Sequence, residues 1–246
     1  GGPGLGNIGP EQADYNQIVK GGGHGNYRVI VLAPNSCQEM CDLTMLAFEL
    51  ADKYRNPAFV LTDGVIGQMM ESVEIPEPVA SLPDKSSWAV KGDADTKHLI
   101  NSIYLSHDEL EAWNNKLLEK YRAIERDEVR FEEYRMEDAE YAVIGYGCIS
   151  RVLRTVVDDA REKGVKIGLF RPISLFPFPK SAIASLPSRG IRKVLTVELS
   201  TGQLVDDVNL ALGGHLISDF YGRVGGNVPS ASEILGRISQ LYGVKI

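Results

Sequence analysis

The order of apolar runs along the chain predicts an α/β protein made of two mostly parallel-sheet domains. Short β-branched runs of strand length alternate with longer segments whose apolar residues recur every three to four positions, the pattern of strand–helix–strand crossovers. That pattern occurs before residue 76 and again after residue 138, and the stretch between is proline-broken and strongly charged. The 246 residues, 43% apolar and 24% charged, suffice for one large core or two ordinary ones. The expected division is therefore a first domain over residues 1–75, an insert or linker with a charged helix over 76–138, and a second domain over 139–246.

Taken in order, Gly1-Gly2-Pro3-Gly4-Leu5-Gly6-Asn7 reads as a backbone-defined turn, because so many glycines imply special φ values or a close ligand. A chain that starts there without Met is expected to continue something longer. Glu11 to Val19 reads as a short helix, and Gly21-Gly22-Gly23-His24-Gly25 as a loop. Tyr27 to Leu32 is a buried strand between that loop and Ala33-Pro34-Asn35. Ser36 with Glu39 three residues on forms a capping box. The helix it opens carries Leu43, Leu46, Ala47, Leu50 and Tyr54 on one face until Asn56-Pro57 stops it. Ala58 to Thr62 is the next strand, with Asp63-Gly64 at its carboxyl end, where α/β proteins place ligands. Pro76, Pro78 and Pro83 then break the chain. Asp108 to Met136 reads as a charged helical stretch whose stripe of Leu110, Trp113, Leu117, Leu118, Tyr121 and Ile124 must dock on something.

The second domain starts with a strand over Tyr141 to Tyr146 and a helix with Ile149, Val152, Leu153, Val156, Val157 and Ala160 on one face, closed by Gly164. A strand over Val165 to Phe170, a short helix over Lys180 to Leu186, a strand over Lys193 to Glu198 and a helix over Gln203 to Leu212 follow. Leu216 to Phe220 reads as a short strand, and Ser230 or Ser232 caps a last helix ending near Tyr242.

Charge and composition exclude several classes. A net charge of −7 without clustered Lys and Arg excludes a nucleic-acid partner. No apolar run approaches the roughly 18 residues that span a bilayer, and the N-terminus lacks a signal-peptide layout, so a cytoplasmic protein is expected. Three cysteines form no disulfide framework and are expected reduced.

Among the motifs, Gly145-Tyr146-Gly147 begins a dinucleotide fingerprint whose helix terminus would receive a pyrophosphate. Ser150 stands at its third glycine position, and Phe170-Arg171-Pro172 ends the next strand without an acidic residue for a ribose hydroxyl, so a tight turn is the stronger reading. Cys37 and Cys41, four apart on a helix, are two ligands where a structural zinc site has four, and read as small buried residues. No metal site is expected on this chain. Of His24, His98, His107 and His215, only His24 lies in a glycine-rich loop where an imidazole can meet an anionic group. Glu198 serves either a site at the sheet edge or the cap of the next helix. No catalytic dyad or triad is recognisable, and the residues alone give two α/β domains and a ligand loop without a chemistry.

The strings Gly1 to Asn7, Gln12-Ala13-Asp14-Tyr15, Gly21 to Tyr27, Leu32 to Met40, Ala51 to Pro57, Leu61 to Gly64, Arg171-Pro172, Val197-Glu198 and Gly202-Gln203 closely resemble the α subunit of 2-oxoacid:ferredoxin oxidoreductases. The resemblance covers nearly the whole chain outside 76–138. It implies a partial thiamine-diphosphate pyrimidine-binding domain followed by a transketolase C-terminal-like domain. It further implies oxidative decarboxylation of a 2-oxoacid to acyl-CoA with electrons to ferredoxin, in a multi-subunit cytoplasmic complex of anaerobic metabolism. Partners would be the pyrophosphate-binding, γ and ferredoxin-like subunits, with ferredoxin and coenzyme A. Thiamine diphosphate and Mg would be shared between subunits, iron–sulfur clusters would lie on other chains, and none of these groups is expected bound to this piece alone. The family's activating glutamate, its substrate loop and an arginine lie upstream of residue 1, so no catalytic residue is assigned here and the piece alone is expected to be inactive. Gly2, Pro3, Gly4, Asn7 and His24 are the expected cofactor-binding residues. Gly4-Leu5-Gly6-Asn7 and the Gly-Gly-Gly-His-Gly run favour the 2-oxoisovalerate type over 2-oxoglutarate or pyruvate types. Two rival readings stay open: a nicotinamide-dependent dehydrogenase using Gly145 to Gly147, and a non-catalytic assembly module.

Overall fold

The computed structural model describes residues 1–21, 23–77, 84–92 and 97–246; Pro78 and Pro83, expected as chain breakers, lie outside them, as does Gly22 of the glycine loop. Two sheets organise the chain. In the first, β1 (Ile30–Leu32) pairs in parallel with β2 (Ala58–Val60), Ile30 opposite Ala58, across the helix α2 (Cys37–Tyr54). Ile30, Val31 and Leu32 are fully buried, as a run of that composition between a loop and a proline demands. In α2 the Ser36 hydroxyl accepts the Glu39 N–H, and Leu43, Ala47 and Leu50 are buried. The expected box is half formed, because the Glu39 carboxylate accepts the Asn35 N–H and turns to Arg171. Arg55 ends α2 in the left-handed region, φ 46°, where Asn56-Pro57 turns the chain. The short helix α1 (Tyr15–Val19) precedes β1 and buries Tyr15 and Val19.

The second sheet has five strands in the order β3 (Phe131–Tyr134), β5 (Ile167–Pro172), β4 (Tyr141–Ile144), β7 (Lys193–Glu198), β8 (Asp219–Gly222). β4 pairs in parallel with β5 and β7, β7 in parallel with β8, and β3 antiparallel with β5. On one face α4 (Gly147–Glu162) sinks Ile149, Leu153, Val156, Val157 and Ala160 completely, against Val143, Leu195 and Val197 of the sheet and Ile234 and Ile238 of α7 (Ala231–Tyr242). The four larger of these side chains, Ile149, Leu153, Val156 and Val157, at about 1.5–3 kcal/mol each relative to exposure, anchor the helix firmly. On α7, Ser230 and Glu233 form a complete capping box. The helices α5 (Lys180–Ala184) and α6 (Leu204–Leu212) lie against each other.

Two strands depart from the sequence reading. The charged stretch from Asp108 is not one helix to Met136: α3 (His107–Asp127) stops at Glu128, and Phe131–Tyr134 is the edge strand β3. The cause is long-range, since Glu132 faces Arg171 across the ladder and ion-pairs with it and with Arg154. Glu133 likewise takes Arg189, and Phe131 stacks on Phe170 at 4.9 Å. The other is β6 (Ser174–Phe176), which leaves the second sheet directly after β5 and pairs antiparallel with β1 in the first, giving the order β2-β1-β6. The apolar stripe of α3 docks only at its end: Tyr121 and Ile124 are buried, while Leu110 and Leu118 stay exposed. No helix among the described residues is long and apolar enough to cross a membrane.

Candidate functional site at the carboxyl end of β2

Thr62, Asp63 and Gly64 follow β2 and form the floor of a cavity of about 510 Å³, whose opposite wall is Gly1, Gly2 and Pro3. Two side chains hold that wall in place. Asn7 donates from Nδ2 to the Gly225 carbonyl at 3.1 Å, and its Oδ1 accepts the Gly9 N–H at 2.7 Å. Glu11 accepts the Gly2 N–H at 2.6 Å through Oε2 and the Gly225 N–H at 3.3 Å through Oε1. Gly9 itself lies against Gly226 so closely that a Cβ would meet the Gly226 Cα at 2.4 Å; a side chain there would push the turn off the second sheet's loop.

The expected cofactor residues therefore separate. Gly2 and Pro3 line the cavity; Gly4, at φ 117° with no atom near its Cα substituent position, faces open space beside it. Asn7 lies behind the wall with its amide groups bonded to the backbone. His24 is exposed in its loop and does not line the cavity. Leu5 and Ile8 project from the turn almost fully exposed.

Under the cavity runs a buried polar seam that spacing in the sequence does not reveal. Gln12 donates its N–H to the Leu199 carbonyl at 2.7 Å, accepts the Leu199 N–H on Oε1 at 2.9 Å and donates from Nε2 to the Tyr146 carbonyl at 3.0 Å, so one glutamine ties the turn to the ends of β4 and β7. Asp63 takes the Val65 and Ile66 N–H groups on Oδ1, at 3.0 and 3.1 Å, and the Cys148 N–H on Oδ2 at 2.7 Å. Its carboxylate thus occupies the first turn of α4. Gly147, φ 58°, is required there, since a Cβ would come within 2.5 Å of Asp63 Oδ2. Burial, then the Asp63 charge, pushes the Cys148 thiol far up, which keeps it protonated and inert.

Glu198 resolves the same way. Fully buried, it accepts from Ser200 Oγ at 2.7 Å, from the Gln203 and Leu204 N–H groups at 3.0 and 2.9 Å, and from the Val205 N–H at 3.0 Å, so it caps α6. Tyr15 donates to Asp207 of α6 at 2.5 Å, and Lys20 pairs with the same carboxylate. Burial raises the Tyr15 hydroxyl well above its ordinary value, with Asp207 adding to the effect. Arg171, at the end of β5, is buried and ties α2 to the second sheet through Glu39, pairing also with Glu132 of the neighbouring β3. The helix terminus after Gly145-Tyr146-Gly147 is accordingly filled by protein, and the nicotinamide reading is not favoured.

With two parallel-sheet units joined along such a seam, the comparison with known proteins is direct. Residues 1–143 match the family described as pyruvate flavodoxin/ferredoxin oxidoreductase, thiamine diP-binding, and residues 139–234 match pyruvate:ferredoxin oxidoreductase core domain II. The chain belongs to the 2-oxoacid:ferredoxin oxidoreductase family, as a subunit of an oxidoreductase. It is 55% identical over 243 residues to ketoisovalerate oxidoreductase subunit VorB of Methanothermobacter marburgensis, covering 98% of this chain and 68% of that one. It is 30% identical to 2-oxoglutarate synthase subunit KorA of the same organism, over 92% of this chain and 67% of the relative. The solved 2-oxoglutarate:ferredoxin oxidoreductase from Magnetococcus marinus superposes with a TM-score of 0.81 at 21% identity, over 98% of this chain and 47% of that one, which speaks to the fold.

Proposed function

We propose that the chain walls one side of the thiamine-diphosphate site of a multi-subunit enzyme that oxidatively decarboxylates 2-oxoisovalerate to acyl-CoA and passes the electrons to ferredoxin. The carrying observation is the cavity after β2: a glycine turn gives close backbone approach on one side, and Glu11, Asp14 and Asp63 lie around it. Carboxylates repel a diphosphate but accept hydrogen bonds from an amino-substituted ring, so these residues fit the aminopyrimidine end of the cofactor. The diphosphate, with its Mg, then belongs to the pyrophosphate-binding partner subunit. Gly2, Pro3 and Gly4 would approach the cofactor, Asn7 would hold their turn, and His24 would face the same cleft once the complex is assembled. When bound, the cofactor supplies the carbanion stabilisation; the chain orients it and excludes water at a subunit interface.

Within this reading residues 1–75 belong to the pyrimidine-binding-like domain, 76–138 to a linker, and 139–246 to a transketolase C-terminal-like domain. The three cysteines Cys37, Cys41 and Cys148 fall short of the four thiolates of one iron–sulfur cluster, which supports placing the clusters, with the ferredoxin contact, on the γ and ferredoxin-like subunits. Coenzyme A would reach the site from their side, in the cytoplasm. The name of the 55% identical relative, a ketoisovalerate oxidoreductase subunit, supports 2-oxoisovalerate.

The experiment is an assay of the complete complex with 2-oxoisovalerate, 2-oxoglutarate and pyruvate. The first is expected to lead by at least about tenfold in kcat/KM, roughly 1.4 kcal/mol of transition-state preference. Equal rates on all three would end the substrate assignment. In the same complex His24→Ala is expected to raise KM for thiamine diphosphate or the 2-oxoacid; unchanged turnover with unchanged KM for both removes His24 from the cleft.

A further inference from the structure

The glycine turn that walls the cavity after β2 is held at two places. At its base Gln12 bonds to Leu199 and to the Tyr146 carbonyl, at the ends of β7 and β4. Beyond that base the turn stands out from the molecule. Leu5 is almost fully exposed, and at Gly2, Gly4 and Gly6 no atom outside the neighbouring residues lies within 4 Å of the place a Cβ would take. What steadies this part is the loop between β8 and α7, more than 200 residues further along the chain.

The grip is close. Asn7 donates to the Gly225 carbonyl at 3.1 Å, and Glu11 accepts the Gly2 N–H at 2.6 Å on one oxygen and the Gly225 N–H at 3.3 Å on the other. The Glu11 side chain is only 7% exposed, so its carboxylate relies on those two donors. Gly226, at φ 84°, lies against Gly9: a Cβ on Gly226 would meet the Gly9 Cα at 2.8 Å. Two backbones in contact pass a shift on instead of absorbing it. The Gln12 seam and the Arg171–Glu39 pair already tie the two sheet units together. The loop does something more local, since through Glu11 it reaches Gly2, a residue of the cavity wall.

We infer that Gly225 and Gly226 are positioning residues for the cavity: they set where the Gly2–Pro3 wall stands relative to Asp63, and so the affinity for the cofactor, while lining no part of the cavity themselves. This rests on the reading of the cavity as the thiamine-diphosphate site. Misplacing a binding group by about 1 Å can cost on the order of a hundredfold, so a small displacement of this loop is enough to detune the wall. The second sheet unit thereby governs a site built from residues of the first.

The test uses the complete complex, stripped of cofactor. Gly226→Ala is expected to weaken thiamine diphosphate binding in calorimetry by about tenfold or more, with kcat at saturating cofactor within about threefold and an unchanged melting temperature. Amide hydrogen exchange over Gly1–Gly9, measured without cofactor, is expected to quicken in the same variant. Should that variant fold poorly, Asn7→Asp keeps the acceptor for the Gly9 N–H but sets an oxygen against the Gly225 carbonyl, and is expected to give both changes. Val228→Ala, in the same loop, is expected to give neither. The inference falls if affinity stays within about twofold of the unaltered complex while the turn exchanges faster, because the position of the wall would then not matter. It falls too if affinity and melting temperature drop together, or if Val228→Ala produces the same loss, since either marks a general loosening. An unaltered complex that binds no thiamine diphosphate would overturn the reading of the cavity itself; one that binds it no better than its variants would overturn the positioning role alone.

Discussion

At the carboxyl ends of β4 and β7 the free N–H groups of the following helices meet carboxylates of the same chain, Asp63 under α4 and Glu198 under α6. The carboxyl end of β2 instead opens onto a cavity walled by a glycine turn. All three are positions where a parallel sheet can receive a ligand. Two have become joints and one has stayed a cleft. A glycine fingerprint cannot by itself announce a nucleotide, because an aspartate from elsewhere in the chain can fill the same terminus and require the same glycine.

This contrast can be attacked at three points. The largest effect is expected at Glu198, where replacement by Ala leaves three N–H groups and a hydroxyl without their acceptor in a fully buried place. Urea unfolding should show a loss on the order of 4 kcal/mol. A loss below about 1 kcal/mol would mean that α6 is not capped in this way. Next comes Asp63→Ala, expected to cost about 2–3 kcal/mol through three orphaned N–H groups, read by urea unfolding, while Cys148 stays inert to alkylation because burial is the larger cause of its raised thiol. Calorimetry of that variant with NAD should still show no binding; micromolar affinity would turn the joint back into a nucleotide site.

The smallest effect concerns the first region's own clasp. Glu128 accepts from Lys53 and Tyr54 of α2, each at 2.7 Å, and from Arg130 at 3.0 Å. Burial works to raise its carboxyl, but these hydrogen bonds win and hold it below the ordinary value. A carboxylate depressed in the folded state stabilises above its unfolded pKa, about 4.3, and loses that contribution as pH falls through the folded value. Glu128→Gln should therefore cost about 1–2 kcal/mol near pH 7, moderated because Lys53 remains half in water, and the gap should close below about pH 4. A gap independent of pH would make the contact one of shape alone.

What the sequence made legible follows the range of the forces involved. α2, α4 and α7 were readable because caps and apolar stripes are local, and Ser36, Gly147 and Ser230 stand where expected. β3 was not, because Phe131-Glu132-Glu133-Tyr134 carries no alternation and becomes a strand only through Arg154, Arg171 and Arg189, which lie 22 to 56 residues away. β6 was hidden in the Pro172 to Pro177 stretch, whose partner Val31 lies in the other sheet. At the cavity, glycine density makes the Gly1 to Asn7 turn legible as a turn, whereas the seam beneath it leaves no such local mark. Gln12 and Asp63 act at separations of 134 and 85 residues, which no spacing rule reports.

The excursion of β6 bears on how the polypeptide comes off the ribosome. β1 lacks its antiparallel neighbour until residue 176 has been made, some 140 residues after Leu32 itself. A nascent chain halted near position 140 would expose the outer edge of β1, with Ile30, Val31 and Leu32 behind it, a template for pairing with other chains. Gene splits or truncations between the two family segments should thus yield an aggregating first half, and isolating it would require the Ser174–Phe176 strand in trans.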